Sequence, residues 1–226
     1  MPRPRAVADV PPATALADHA GSHPPVAGPA ARRRRLPADA RRREIVTHAF
    51  AALATDGFEG LRLRDVAAAV GVNSATLHHY FPTKQDLVEA VAEHLGAEFA
   101  AVRAPAVPAA PDVPEPLRRL RQEFADARYC LEARPDLLAA FRELALRATR
   151  DPAVAALVAP LHAAWRASIA DTIREGQRAG VFRRSLEPGA AAAAVIAALW
   201  GMGALLQLDA AAFAAGCGAL EDALRA

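Results

Sequence analysis

Several residue types are scarce in this sequence, and each scarcity narrows the class of protein. Among 226 residues, Cys, Trp and Tyr occur twice each, and the only lysine is Lys84. Cys130 and Cys217 are far apart and belong to no CxxC or His/Cys cluster, so we expect reduced thiols rather than a disulfide framework. No apolar run follows the early arginines, which does not support a secretory signal. These features predict a cytoplasmic protein.

The net charge of +2 is small, but it is distributed unevenly. Residues 1–35 carry six Arg against two Asp, whereas residues 36–95 carry six basic and eight acidic groups. Residues 1–37 also hold eight of the 18 prolines and almost no large apolar side chain. Such a segment buries too little apolar surface to offset its ordering entropy. We therefore expect a disordered basic arm over residues 1–37.

Alanine is abundant, with 60 residues, and it is the best helix former and a poor strand former. The composition predicts an all-α protein. Helical spacing of apolar residues, with Gly and Pro as boundaries, predicts about nine helices. They are expected at 38–55, 64–70, 73–80, 84–102, 116–133, 135–149, 152–179, 188–208 and 211–225. Gly57, Gly71 and Gly180 are expected to end helices, and Pro160 to kink or split one.

A proline-rich segment, residues 103–116, separates the first four predicted helices from the rest. Pro105, Pro108, Pro111 and Pro114 are three residues apart, which is the period of polyproline II. A ligand for an SH3-type domain is one interpretation of this spacing. A stiff connection between a domain over 38–98 and a second one over 113–226 is the interpretation that we favour.

The segment from Leu63 to Leu87 has the pattern of a helix-turn-helix, with the motif itself at about residues 62–81. A short helix is followed by Gly71 at a tight turn, and Ala67 permits close approach of a second short helix. Val72 and Leu77 close the seam between the two helices. The second helix can then enter a major groove with its N-terminal side chains leading.

These residues resemble the DNA-binding region of the TetR/AcrR family of bacterial transcription regulators. The similarity covers about residues 38–95, through Gly57-Phe58, the Arg64 to Val72 core and the run from Leu77 to Lys84. A weaker similarity lies at Ile173 to Phe182, before the family's dimerisation helices. The resemblance implies an N-terminal three-helix DNA-binding domain, a C-terminal helical ligand-binding and dimerisation domain, and no enzymatic activity.

The resemblance also implies the residues that contact double-stranded DNA. Ser74, Ala75 and Thr76 match the leading positions of the recognition helix, with Asn73 as its cap. The full predicted set is Arg62, Arg64, Asn73, Ser74, Ala75, Thr76, His78, His79, Tyr80 and Lys84. Two positions depart from the family: Arg62 stands where a capping Thr or Ser is usual, and His78 where a Tyr is usual.

For the C-terminal domain, the resemblance implies a homodimer, a pseudo-palindromic operator and a small, apolar effector whose binding relieves repression. Half-sites would be spaced by about 34 Å or more. We expect the effector pocket to be lined by Tyr129, Cys130, Phe141, His162 and Trp165. The dimer interface is expected to contain Ala194, Ala198, Trp200, Gly201 and Leu205. The sequence does not identify the effector, the operator or the controlled genes.

Other classes of protein remain as alternatives at this stage. Residues 189–208 carry no charge over 20 positions, so a membrane span competes with a helix buried at a subunit interface. Their alanine and glycine content favours the interface, and a membrane-associated or non-DNA-binding interaction protein is the alternative function. No catalytic motif supports an enzyme. The adjacent His78 and His79 diverge on a helix, so we predict neither a metal site nor a cofactor.

Overall fold

The structure, a computed structural model, describes residues 37–108, 111–205 and 209–225, and the extended elements in these ranges are helices. The predicted all-α class is therefore confirmed. In these ranges the chain forms α1 (Ala38–Gly60), α2 (Leu63–Val70), α3 (Ser74–Tyr80), α4 (Lys84–Ala101), α5 (Glu115–Ala133), α6 (Pro135–Ala148), α7 (Pro152–Arg178), α8 (Pro188–Trp200), a π-helical turn (Gly201–Leu205) and α9 (Ala210–Leu224). The predicted basic arm lies outside the described residues.

Glycines with positive φ mark three of the helix boundaries. Gly71 (φ 73°) ends α2, and Gly180 (φ 71°) follows α7, as predicted. Gly57 (φ 72°) also adopts a left-handed conformation, but helical structure resumes after it and continues to Gly60. Left-handed backbone strains residues with a Cβ, so glycine is favoured at these positions. Pro160 does not split its helix, because α7 runs through it without a break.

Two hydrophobic cores hold the helices together. The first contains buried residues of α1 to α4 together with α6 and the first half of α7. The second contains buried residues of α5, the second half of α7, α8 and α9. The first core thus crosses the expected boundary between residues 38–98 and 113–226, because the apolar faces of α1 and α4 pack on α6.

The proline-rich connection is fastened to α5 by hydrogen bonds. The backbone N–H of Ala104 donates to Asp126 Oδ1 at 2.8 Å, and that of Val107 donates to Gln122 Oε1 at 2.8 Å. Gln122 and Asp126 lie four residues apart on one face of α5, and the Gln122 side chain also donates to Asp126 at 2.9 Å. The segment before residue 109 therefore follows the surface of α5.

The uncharged segment 189–208 does not form the single α-helix that was predicted. α8 ends at Trp200 and passes into the π-helical turn, and residues 206–208 lie outside the described ranges. A Cβ on Gly203 would lie 2.5 Å from Leu131 Cδ2, so glycine allows the turn to approach α5. By length and composition, α7 is the helix among the described residues that could cross a membrane. α7 packs against α4, α5, α6 and α8.

Candidate nucleic-acid interface and ligand cavity

α2 and α3 form the predicted helix-turn-helix. Gly71 provides the left-handed turn, and the backbone N–H of Val72 donates to Ala67 O at 2.9 Å. Ala67 and Leu77 are almost completely buried between the two helices. Because Ala67 has a small side chain, α3 can approach α2 closely, and the buried Leu77 fixes the orientation of α3.

The N-terminus of α3 is ordered by its cap. The Asn73 side chain accepts a hydrogen bond from Thr76 N at 2.7 Å, as the sequence predicted. Asn73, Ser74 and Ala75 are exposed, and Thr76 is half-buried. The leading residues of the helix therefore present their side chains to solvent on a fixed backbone, which direct base contact requires.

The other predicted DNA-contacting residues surround this helix start. Arg62, Arg64, His78 and His79 are exposed, and Tyr80 is half-buried. Arg62 gives no side-chain cap to α2, in accordance with its departure from the family pattern. Arg64 Nε lies 3.4 Å from Asp65 Oδ1, but the Arg64 side chain is 81% exposed, so this pair contributes little to stability.

Lys84 is half-buried and makes two contacts with Phe58 that the sequence did not indicate. Its Nζ donates to Phe58 O at 2.9 Å and lies 4.5 Å from the centre of the Phe58 ring. Burial lowers the pKa of Lys84, and the charge of Arg147 adds to this, while Glu59 opposes it. An ammonium has three donors, so one is used here and two are left for other acceptors.

The end of α1 is joined to α6 at the same place. Phe58 N donates to Glu143 Oε2 at 3.2 Å, and Arg147 Nη1 lies 3.3 Å from Glu59 Oε1. The Arg147 guanidinium also lies 4.8 Å from the centre of the Phe58 ring. Lys84 and Arg147 thus both contact Phe58, and the DNA-binding helices are connected to α6 by directed polar contacts. No motif in the sequence indicated this junction.

A cavity of about 520 Å³ lies between α4, α5, α6, α7 and α8. Four of the five predicted pocket residues line it: Cys130, Phe141, His162 and Trp165. Tyr129 does not line it and is 38% exposed. Tyr129 lies seven residues after Gln122 and so on the same face of α5, but its exposure shows that neighbouring helices do not cover that end. The prediction that Tyr129 lines the cavity was therefore wrong.

The position of Trp200 also differs from the prediction. Its ring stacks on Phe141, with centroids 5.1 Å apart, and it lines the cavity rather than an external face. Trp200 lies four residues after the buried Ile196, so the helix period directs both side chains inward. Its Nε1 is buried and has no hydrogen-bond partner within the described part of the chain.

Of the other predicted interface residues, Ala194 is exposed and Ala198 and Gly201 are half-buried. The side chain of Leu205 lies outside the described ones. A Cβ on Gly201 would meet no atom within 4 Å, so open space adjoins this glycine.

Polar groups that the sequence analysis missed line the cavity on its α5 side. Glu123 Oε2 accepts a hydrogen bond from Trp165 Nε1 at 3.1 Å. Burial raises the pKa of Glu123, and this hydrogen bond lowers it by a smaller amount. Burial also lowers the pKa of His162, and it raises that of Cys130 to about 11. His162 and Cys130 are therefore neutral at pH 7. The signal in the sequence was the spacing of Arg119, Glu123, Asp126 and Cys130 along one helical face.

The fold and its exposed recognition helix define a helix-turn-helix DNA-binding regulator. The family model of bacterial regulatory proteins, tetR family, matches residues 45–91. A TetR-family transcriptional regulator from Rhodococcus sp. is 26% identical, with a TM-score of 0.67, over 83% of this chain and 100% of that one. A search of curated proteins gives no match.

Two further solved structures share the fold. A transcriptional regulator from Saccharomonospora viridis in complex with choline is 24% identical, with a TM-score of 0.66, over 81% of this chain and 95% of that one. The ketosteroid transcriptional regulator of Mycobacterium tuberculosis is 19% identical, with a TM-score of 0.57, over 82% and 95%. The helix-turn-helix region of the chain thus matches the TetR family of DNA-binding regulators, and the described helices share the fold of solved regulators of that family.

Proposed function

We propose that the protein is a dimeric repressor that binds a pseudo-palindromic operator and is released from it by a small, mostly apolar molecule in the cavity. The observation that carries this proposal is the position of α4. This helix begins at Lys84, directly after the recognition helix, and its last two turns line the cavity with Gly96, Phe99 and Ala100. At 1.5 Å per residue, its 18 residues connect the two sites over about 27 Å.

The start of α4 is rigidly attached to the helix-turn-helix, which supports this role. Thr83 and Asp86 form a capping box, with Thr83 N donating to Asp86 Oδ2 at 2.8 Å and Asp86 N donating to Thr83 Oγ1 at 3.1 Å. Lys84 then joins the helix to the end of α1. Because both contacts fix the N-terminus of α4, a ligand that moves its C-terminal turns would change the orientation of α3.

α6 also connects the cavity to the end of α1. Phe141 lines the cavity, and Glu143, two residues later, accepts from Phe58 N. A ligand that displaces the Phe141 ring would therefore shift a helix that also holds the end of α1. We infer that α4 and α6 act together, because each helix has residues that line the cavity and another residue that contacts Phe58.

The proposed DNA contacts are those expected from the sequence. Ser74, Ala75 and Thr76 would contact base edges, with Asn73 holding the helix start. Arg62, Arg64, His78, His79, Tyr80 and Lys84 would lie along the backbone or at flanking bases. The exposure of these side chains supports the assignment for all except Thr76, Tyr80 and Lys84, which are half-buried. Lys84 would use the donors that Phe58 leaves free.

The dimer would form through α8 and α9. Both helices expose small side chains: Ala190, Ala193, Ala194 and Ala197 on α8, and Ala211, Ala214, Ala215 and Gly218 on α9. Small residues let helices of two subunits pack closely. Ala194→Arg should convert the dimer to a monomer in sedimentation equilibrium. Ala97→Arg, at an exposed position on α4, should remain dimeric.

The proposal is tested by DNA binding with and without ligand. Binding of the purified protein to the DNA upstream of its own gene is measured by gel shift and by fluorescence anisotropy. We expect a complex with two subunits per operator that Ala194→Arg weakens and Thr76→Ala weakens without changing the oligomeric state. If selection from random-sequence DNA also yields no specific site at low salt, the proposed DNA-binding role is overturned.

A further inference from the structure

The cavity has a strongly aromatic wall. Phe141 lies at its centre, with ring centroids 5.5 Å from Phe99, 5.0 Å from His162 and 5.1 Å from Trp200. Trp165 adds a further ring. The faces of such rings carry partial negative charge and attract cations, most strongly from Trp. The cavity is also within the size range of small-molecule sites.

One charged side chain in this wall has only a neutral partner. Glu123 accepts a single hydrogen bond, from Trp165 Nε1, and no arginine forms an ion pair with it within the described residues. A carboxylate accepts about four hydrogen bonds, so most of its capacity is unused. Asp126 lies one helical turn further and adds a second negative charge, although Ala104 N and Gln122 donate to it.

Three arginines also line the cavity, and each donates its hydrogen bonds to a group other than Glu123. Arg118 forms two hydrogen bonds with Glu115, at 2.7 and 2.5 Å, and Arg119 pairs with Glu175. Arg103 is exposed and donates to its neighbouring carbonyl, Val102 O. Its charge and that of Arg119 act on Glu123 from a distance, but burial outweighs them and the pKa of Glu123 stays raised. None of these arginines therefore forms an ion pair with the Glu123 carboxylate.

We propose that the ligand is an organic cation: an apolar body held by the aromatic rings, with an ammonium group against the Glu123 carboxylate. The inference rests on the proposed ligand-responsive function and specifies its ligand. A cation would supply the charge that Glu123 lacks, and its alkyl groups would contact Trp165 and the rings around Phe141. A neutral ligand of the same shape would leave the half-buried carboxylate without a counter-charge, which is unfavourable.

The test compares three probes of similar size: the phenylbutyltrimethylammonium ion, its neutral isostere with carbon in place of nitrogen, and the anion phenylhexanoate. Trp165 and Trp200 are the only tryptophans of the chain, and both line the cavity, so their fluorescence reports binding. Titrations are carried out at pH 8, because a higher pH favours the ionised form of a carboxyl group whose pKa is raised. We expect the cation to bind at least tenfold more tightly than either other probe.

The variant Glu123→Gln keeps an acceptor for Trp165 but removes the charge, so it should abolish the preference for the cation. Glu132→Gln, an exposed residue of the same helix that does not line the cavity, should retain it. Equal binding of the three probes, stronger binding of the anion, no binding at all, or an unchanged preference in Glu123→Gln would each overturn the proposal.

DNA anisotropy on the same samples separates this proposal from the proposed function. Preference for the cation together with an unaffected DNA complex would contradict ligand-controlled release but leave the cation site in place. Release of DNA by the neutral or the anionic probe alone would support ligand-controlled release from DNA, and it would overturn the proposal that the ligand is a cation.

Discussion

The Lys84 ammonium donates to the Phe58 carbonyl oxygen at 2.9 Å and lies 4.5 Å from the centre of the Phe58 ring. The first residue of α4 is thereby bound to the end of α1, where Glu143 and Arg147 of α6 also make contact. Three helices of different parts of the chain thus meet at Phe58. This junction lies between the recognition helix and the cavity.

Lys84→Met should lower the free energy of unfolding by about 1–2 kcal/mol, because it removes a charged hydrogen bond and a cation–π contact while keeping the aliphatic stem. Urea unfolding monitored by circular dichroism measures the loss. Gln85→Met, at the next position of α4, should change stability by less than about 0.5 kcal/mol. Equal effects of the two variants would show that the Phe58 contacts do not stabilise the fold.

Asn73→Ala should cost about 1 kcal/mol of stability, because the N–H of Thr76 loses its acceptor. α3 has only seven residues, so fraying of its first turn should also weaken operator binding several-fold. Asn73→Ser retains a capping oxygen and should behave nearly as the wild type. Urea unfolding and DNA anisotropy of both variants check this prediction, which fails if the two variants bind operator equally.

Gly57→Ala should destabilise the protein more than Gly180→Ala, by about 1 kcal/mol. Both glycines have φ near +70°, so alanine costs similar backbone strain at each. A Cβ at position 57 would also lie 2.8 Å from Glu143 Oε2, whereas one at position 180 would meet nothing within 4 Å. The difference therefore measures the contact between α1 and α6. Identical unfolding free energies for the two variants would contradict this.

Glu123 should make stability depend on pH in mildly acidic solution. Its folded pKa is raised by burial above the unfolded value of 4.5, so the folded state binds more protons in the interval between the two values. The contribution of Glu123 to stability is therefore present at low pH and is lost as pH rises through that interval. The unfolding free energy of the wild type minus that of Glu123→Gln should fall as pH rises above 4.5. A constant difference would contradict the raised pKa.

Deletion of residues 1–35, with their six arginines, should reduce the salt dependence of DNA binding. Each lost phosphate contact lowers the slope of log K against log salt by about 0.9. Deletion of residues 1–31 keeps Arg32 to Arg35 and should retain most of the slope. The quantity to measure is anisotropy over a series of salt concentrations. An unchanged slope in the longer deletion would show that the arm does not contact DNA.

The helices and the helix-turn-helix were predictable because their signals are local. Gly71, the Asn73 cap and the apolar spacing from Val66 to Leu77 act within a few residues, and all three appear as expected. The pocket residues on α5 to α7 followed in part from helical periodicity. That Trp200 lines the cavity and Tyr129 does not was not predicted, because periodicity gives a face of a helix but does not say which element covers that face.

The sequence by itself determined the helical class, the position of the recognition helix and the separation of charge between arm and domain. Only the tertiary structure decided that Lys84 binds Phe58, that Glu143 accepts from the end of α1, and that Glu123 faces an aromatic cavity beside Trp165. The partners in these pairs are 26 to 85 residues apart in the chain. Such contacts depend on how the apolar faces of distant helices pack, and that packing leaves no local pattern in the sequence.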